Sequence, residues 1–236
     1  MKPDRPLRRA LLLVGLWPAW ARAADSLLDK LLRISGLGAA PGQLRSDEGE
    51  AGSLWLARVD AGEARGLTAT GGFRSPVFTL DDAGVLALKG DELVRVSLPQ
   101  GEVRVLRPAP GVRKLVGFDP QSPDELLVLM DSAAKPLASL SLKTGAITPL
   151  AYDPAAPEQQ RLLGQIRAQD RVSGKTSVSV QTERRQGLSR AIEWSAIFVR
   201  QGDAAPRNVS GDESVNCSQP ALSHDARFVV FVKTES

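Results

Sequence analysis

Cysteine and histidine each occur only once in the chain of 236 residues, as Cys217 and His224. A single cysteine excludes an intramolecular disulfide framework and any zinc or redox site built on paired cysteines. A single histidine leaves little room for metal sites or catalytic triads that use imidazole. A nucleophilic Cys217 activated by His224 would need the two groups within hydrogen-bond reach. A buried or idle cysteine and a histidine in a surface turn are the favoured interpretations.

The sequence motifs of common enzyme classes are also missing. There is no GxSxG elbow, no HExxH, no P-loop and no GxGxxG after a predicted strand. Asp81-Asp82 supplies too few oxygen ligands for a calcium cage, which needs at least six. We therefore expect a protein with no catalytic residues, no cofactor and no metal.

The first 23 residues are typical of a secretory signal peptide. A basic start is followed by the apolar run 10–20, and Ala21-Arg22-Ala23 places small residues where signal peptidase cleaves. The run is shorter than the roughly 20 residues that span a bilayer, although an N-terminal anchor is the alternative. Arg8-Arg9 leaves both the general and the twin-arginine export routes open. We expect a periplasmic or secreted protein.

Removal of the leader changes the charge of the chain. It takes away five basic residues and one acidic residue, and the formal net charge changes from +3 to −1. Nucleic-acid-binding proteins normally keep a basic excess to displace counterions. The mature chain is therefore not expected to bind nucleic acid, and contact with a membrane is expected only through the leader.

Residues 24–52 are predicted to form a short helix and a linker. Ser26 is followed three residues later by Asp29, an N-cap pattern, and the leucines at 27, 28, 31 and 32 follow at helical spacing. Residues 38–52 are rich in glycine, alanine and charge. From residue 53 onward, short apolar runs alternate with turn residues at even spacing, which indicates an all-β domain over 53–236.

One segment of this domain is repeated. DELVRVSLPQGEVRVL at 91–106 returns as KPLASLSLKTGAITPL at 135–150, an offset of 44 residues. A period in the forties containing about four strands matches one blade of a β-propeller, whereas a β-sandwich, the alternative, rarely repeats at this length. Gly101 and Gly145 fall in equivalent turns, which favour a residue that accepts positive φ.

Two stretches resemble the repeat of TolB-like propellers, also called PD40 or WD40-like. They are LWLARVDAGEARGLT with SPVFTLDDAGVLAL (54–68 and 75–88), and AIFVRQGDAAPRNVS with QPALSHDARFVVFV (196–210 and 219–232). The Ser-Pro-Asp-Gly element of that repeat survives only as Thr79-Leu80-Asp81-Asp82 and Ser223-His224-Asp225-Ala226. The resemblance implies the fold; such propellers serve as scaffolds, partner platforms and enzyme gates.

The phase of the repeat predicts how the ring closes. The chain ends with two inner strands, 219–223 and 227–232, and begins with two outer strands, 54–59 and 64–68. Pairing them would complete one blade and leave no open edge. The other blades are then expected at 75–106, 114–150 and 161–210, which gives a propeller of about four blades. A fragment of a larger ring, completed by another chain, is the alternative.

Loops that lead into the innermost strands of a propeller converge around its central channel. Here they carry polar or cationic side chains on three blades: Arg74, Ser75, Arg113, Lys114, Asn216 and Gln219. They predict a rim that binds an anionic ligand or acidic peptide; ordinary solvated loops are the alternative. We expect a non-enzymatic scaffold that binds a protein or peptide. A propeller subunit or gate-domain remnant of a hydrolase or peptidase, with catalysis elsewhere, is the second hypothesis.

Overall fold

The computed structural model describes residues 50–119, 122–157, 159–160, 171–186, 191–211 and 215–234. The predicted signal peptide and helix, and residues 161–170 of the third predicted blade, lie outside these ranges. Within them, no helix has the length and apolar character needed to cross a membrane.

The strands in chain order are β1 Ser53–Arg58, β2 Ala64–Gly66, β3 Phe73–Phe78, β4 Gly84–Lys89, β5 Glu92–Ser97, β6 Val103–Pro108, β7 Val112–Asp119, β8 Ser122–Met130, β9 Leu137–Ser141, β10 Ile147–Pro149, β11 Arg171–Ser173, β12 Thr176–Gln186, β13 Ala191–Gln201, β14 Arg207–Asn208, β15 Cys217–Leu222 and β16 Phe228–Lys233.

These strands form four antiparallel sheets of four strands each, the blades of a small β-propeller. Blade one is β3–β6, blade two is β7–β10 and blade three is β11–β14. The fourth sheet has the order β15-β16-β1-β2 and is called the composite blade below. The observed first and last strands of blades one and two lie within two residues of the predicted bounds.

The two ends of the domain pair as predicted. Strand β1 runs antiparallel to β16 in unbroken register from Ser53 opposite Lys233 to Arg58 opposite Phe228, and Leu56 lies opposite Val230. The composite blade thus joins residues about 180 positions apart in the sequence. This pairing removes the free edges that β1 and β16 would otherwise expose.

Both faces of the composite blade are buried because it lies between two other blades. Successive side chains of a strand point to opposite faces, so alternate residues of β1 and β16 enter two different hydrophobic clusters. Toward blade one point Leu54, Leu56, Val230 and Val232, and toward blade three point Ala57, Val59, Val229 and Phe231. A further cluster packs blade one against blade two.

This burial explains the continuous apolar runs in the sequence. Strand β4 is buried from Gly84 to Leu88, and β16 from Val229 to Lys233. A strand covered on both faces does not show the apolar-polar alternation of a half-exposed strand. The runs therefore mark the middle strands of blades.

The two repeated glycines occupy the predicted positive-φ positions. Gly101 has φ of 79° and Gly145 has φ of 77°, and each donates its N–H to the carbonyl four residues earlier. At Gly101 a β-carbon would lie 2.0 Å from the carbonyl oxygen of Leu67 in the composite blade. Glycine is thus required there by the neighbouring blade as well as by the turn.

A double-mutant cycle tests the pairing of the two ends. Leu56→Ala and Val230→Ala should each destabilise the fold, and their effects should be coupled by at least about 0.5 kcal/mol because the side chains lie opposite each other. The free energy of unfolding in urea measures this coupling. The control pair, Leu56→Ala with Leu140→Ala in another cluster, should be additive within about 0.5 kcal/mol. Additivity of the first pair would contradict the register.

Candidate functional site at the inner strands

The predicted rim begins at two unusual positions on the first strands of two blades. Ser75 on β3 has φ of 56° and Gln219 on β15 has φ of 53°, and each directly precedes a proline. The strand register shifts at both places, so each is a bulge. Proline has no N–H to give to the ladder, and a bulge accommodates it.

The bulges bring three inner strands together. The backbone N–H of Ser75 donates to Oε1 of Gln219 at 2.5 Å, and its buried hydroxyl accepts from the N–H of Leu115 on β7 at 2.8 Å. The same hydroxyl lies 3.4 Å from the carbonyl oxygen of Leu115. We call Gln219, Ser75 and Leu115 the inner belt. It links the composite blade to blade one and blade one to blade two.

Arg74 adds a second link beside the inner belt. Its guanidinium donates to the carbonyl oxygens of Val112 at 3.0 Å and Gly90 at 3.3 Å, so it ties blade one to the first residue of β7. Burial lowers the pKa of the Arg74 guanidinium below its ordinary value, and the Asp91 carboxylate opposes this shift. The side chain remains a half-buried cation whose donors are directed at backbone carbonyls.

The other predicted rim residues are placed differently. Arg113 is exposed and lies 3.7 Å from an Asp131 carboxylate oxygen, and Lys114 is half-buried on β7. Asn216 accepts the N–H of Ser195 at 3.0 Å and so reaches toward blade three. The structure therefore brings Ser75 and Gln219 together and sets Asn216 apart from them. A ligand-binding role for the six residues stays a prediction.

A second link between blades lies at the turns that follow β3 and β15. The carboxylate of Asp82 accepts the backbone N–H groups of His224 at 3.0 Å and Asp225 at 3.1 Å, and one of its oxygens lies 2.8 Å from Nδ1 of His224. The Asp82 carboxylate thus joins a turn of blade one directly to a turn of the composite blade.

The remaining acids of these turns stabilise the turns themselves. Hydrogen bonds from the Thr79 hydroxyl and the Ala83 N–H hold the pKa of the Asp81 carboxyl below its ordinary value. Burial raises the pKa of the Asp225 carboxyl, but hydrogen bonds from Arg227 and Ser223 outweigh it, so this pKa is also lowered. Each carboxylate thus accepts a backbone N–H of its own turn and stabilises that turn.

Cys217 and His224 do not form a catalytic pair in this arrangement. Cys217 begins β15, is buried, and its thiol lies 3.6 Å from the Val215 carbonyl oxygen. His224 follows the other end of the same strand, about 20 Å away at the rise of an extended chain. Among the described residues, no group of three or more His, Cys, Asp or Glu side chains is arranged to hold a metal.

An open groove runs between the composite blade and blade one. Its volume is about 550 Å³. The lining residues are Leu56, Arg58, Glu63, Ala64, Arg65, Asp82, Ala83, Leu98, Pro99 and Phe228. Arg65 donates to the Pro99 carbonyl oxygen at 3.1 Å, so the two walls are linked. A second cavity of about 320 Å³ shares Arg58 and Phe228 with the groove.

Sequence reasoning did not find the inner belt or this groove. The signal for the inner belt is the repeated X-Pro step in two first strands, at Ser75-Pro76 and Gln219-Pro220. The groove had no comparable signal. Its walls come from β1, β2, β16 and two turns of blade one, and their closeness depends on how the blades pack.

No protein-family model and no curated protein matches the chain. Several solved structures are similar to it in fold. The chain is 15% identical to TolB from Agrobacterium tumefaciens, with 78% of this chain and 62% of that chain covered and a TM-score of 0.34. A nidogen/laminin complex is 11% identical, with 68% of this chain and 62% of that chain covered and a TM-score of 0.31. The apo AtxE2 isopeptidase is 15% identical, with 74% of this chain and 32% of that chain covered and a TM-score of 0.27. The chain thus spans less than two thirds of the length of each.

Removal of the Ser75 hydroxyl tests the inner belt. Ser75→Ala should destabilise the fold by about 1–3 kcal/mol because it leaves the buried N–H of Leu115 without its acceptor. The free energy of unfolding in urea measures this loss. The control Ser97→Ala, at a half-buried serine of β5, should change stability by less than about 0.5 kcal/mol. Equal effects of the two substitutions would show that the inner belt does not link the blades.

Proposed function

We propose that this protein is a non-enzymatic β-propeller of the periplasm or the extracellular space that binds a protein or peptide. The observation that carries this proposal is the groove between the composite blade and blade one. It is built on two blades that are held together by a shared hydrophobic cluster and by the Asp82 contacts. A groove on rigid walls binds a ligand at little cost in conformational entropy.

The chemistry of the groove suits a peptide segment. Leu56, Leu98 and Phe228 give it apolar surface, while Arg58, Glu63 and Arg65 supply charges of both signs at its walls. Apolar surface with a few polar groups that fix orientation is the usual composition of a binding site. The adjoining cavity on the other side of Arg58 and Phe228 extends the site. An extended ligand with side chains in both cavities fits this shape better than a compact one.

The predicted rim supports the same class of partner from a different place. Arg113 on β7 of blade two is exposed beside Asp131, and Arg74 of blade one donates to the carbonyl oxygen of Val112, the residue before Arg113. These cations would favour an acidic segment near the channel. The predicted signal peptide supports export from the cytoplasm, because a basic start, an apolar run and small residues at the cleavage positions are what the export machinery reads.

Site-specific photo-crosslinking tests this proposal in the source cell. A photoreactive amino acid replaces Arg65 in the groove, Arg113 at the rim, or Lys175 in an exposed turn of blade three as the control. We expect one discrete protein adduct from Arg65 or Arg113 that is absent from Lys175. The Arg65 adduct should be lost when Leu98→Asp is added, which places a charge in the groove.

Two other results would contradict the proposal. The first is the absence of any adduct at Arg65 and Arg113 under conditions in which the folded protein is abundant. The second is turnover of a substrate by the purified chain alone. Recovery of a hydrolase as the sole adduct would instead identify the partner as an enzyme.

A further inference from the structure

The outermost strand of blade one differs from those of the other blades. Strand β6 has six residues, whereas the outermost strands β2, β10 and β14 have three, three and two. Proteins keep edge strands short because their outward N–H and C=O groups are a template for another chain. Blades two and three and the composite blade follow this rule, and blade one does not.

Strand β6 also exposes apolar side chains on one face. Val103 is 44% exposed and Val105 is 53% exposed, two of the few large apolar residues of the described chain that face solvent. They lie opposite Val96 and Val94 of β5, which are fully buried. The composite blade therefore covers this face of blade one at β5 and leaves it open at β6.

The other face of β6 carries a cation. Arg104 is exposed and lies directly opposite Arg95 of β5. Like charges at opposite positions destabilise a sheet, and an acidic side chain on a further strand would relieve the repulsion. Glu102 directly precedes β6 and would repel an acidic side chain placed near it. The added strand therefore favours one acidic residue, opposite Arg104, and not a series of acidic residues along the whole edge.

Only the C-terminal end of β6 contacts blade two, and the rest of its outer edge is open in the described chain. In the described chain, β6 hydrogen-bonds to β5 and to no other strand. The Arg107 guanidinium donates to the carbonyl oxygens of Leu106 at 3.1 Å and of Lys143, in blade two, at 2.7 Å. That end is tied to blade two, and the segment from Val103 to Val105 faces outward.

We propose that β6 is a docking strand for an extended peptide with one acidic residue between apolar ones. The peptide adds to blade one as a fifth strand: its backbone pairs with β6, its apolar side chains cover Val103 and Val105, and its carboxylate pairs with Arg104. A second copy of this chain is the less suitable occupant, because antiparallel pairing of two β6 strands about Arg104 places like charges together. This inference rests on the proposed function and gives it a second surface, remote from the groove.

Two blocked, fluorescent heptapeptides test the charge requirement: Val-Thr-Val-Glu-Val-Thr-Val and the same sequence with a central lysine. The purified protein should bind the glutamate peptide roughly tenfold more tightly, by fluorescence anisotropy, because one partner is attracted and the other repelled. Arg104→Glu should reverse this preference. Arg200→Glu, at an exposed arginine of β13, is the matched control and should leave it unchanged.

N-methylated peptides test the backbone pairing without changing the protein. Methylating alternate amides on one edge of the glutamate peptide should weaken binding by roughly tenfold or more, since it removes the hydrogen bonds to β6. Methylating the amides of the opposite edge should have little effect. This asymmetry distinguishes strand addition from non-specific contact with Val103 and Val105.

A variant of the protein tests the apolar contacts. The paired variant Val103→Thr with Val105→Thr keeps β-branching and should weaken the binding of both the glutamate and the lysine peptide.

Three results would overturn the docking strand: equal binding of the two charged peptides, equal effects of the two methylation patterns, or a β6-dependent dimer in sedimentation that neither peptide displaces. The last would assign the edge to a second copy. If the peptides fail while Arg65 still gives its photo-adduct, the proposed function stands and only the docking strand is wrong.

Discussion

The antiparallel pairing of β1 with β16 is the interaction on which the rest of the structure depends. It converts two pairs of strands from opposite ends of the domain into one blade. That blade packs on blade one through one cluster and on blade three through another. Without the pairing, β1 and β16 would each expose a free edge, and both clusters would lose the residues that these strands contribute. The inner belt and the Asp82 contacts then fix the angle between blades that are already in place.

Much of this architecture could be predicted from the sequence, because it follows from local patterns that repeat. The apolar runs mark the middle strands, and Gly101 and Gly145 mark equivalent turns. The phase of the repeat at the two ends predicts the composite blade. Each of these signals depends on residues close together in one blade, where periodicity and turn chemistry decide the structure.

The contacts between blades could not be predicted in the same way. Asp82 and His224 are 142 residues apart, and Ser75 and Gln219 are 144 apart. Whether such groups meet depends on the tilt of whole sheets, which no short pattern encodes. The left-handed backbone of Ser75 was also unforeseen, since a residue other than glycine adopts it only when its surroundings over-determine it. Two of the rim residues predicted to bind a ligand, Ser75 and Gln219, make structural hydrogen bonds between blades.

The surfaces suited to a partner therefore lie largely away from the inner belt. The groove combines apolar floor and charged walls between two blades, and β6 offers an open edge on the outside of blade one.

Native-state hydrogen exchange, followed by NMR, tests the closure most directly. The amides of Trp55 and Ala57 in β1 and of Val229 and Phe231 in β16, which face the partner strand, should exchange with a common free energy close to that of global unfolding, because each strand protects the other. Rapid exchange of the β1 amides, while those of β4 and β5 stay protected, would show that the first strand does not complete the last blade.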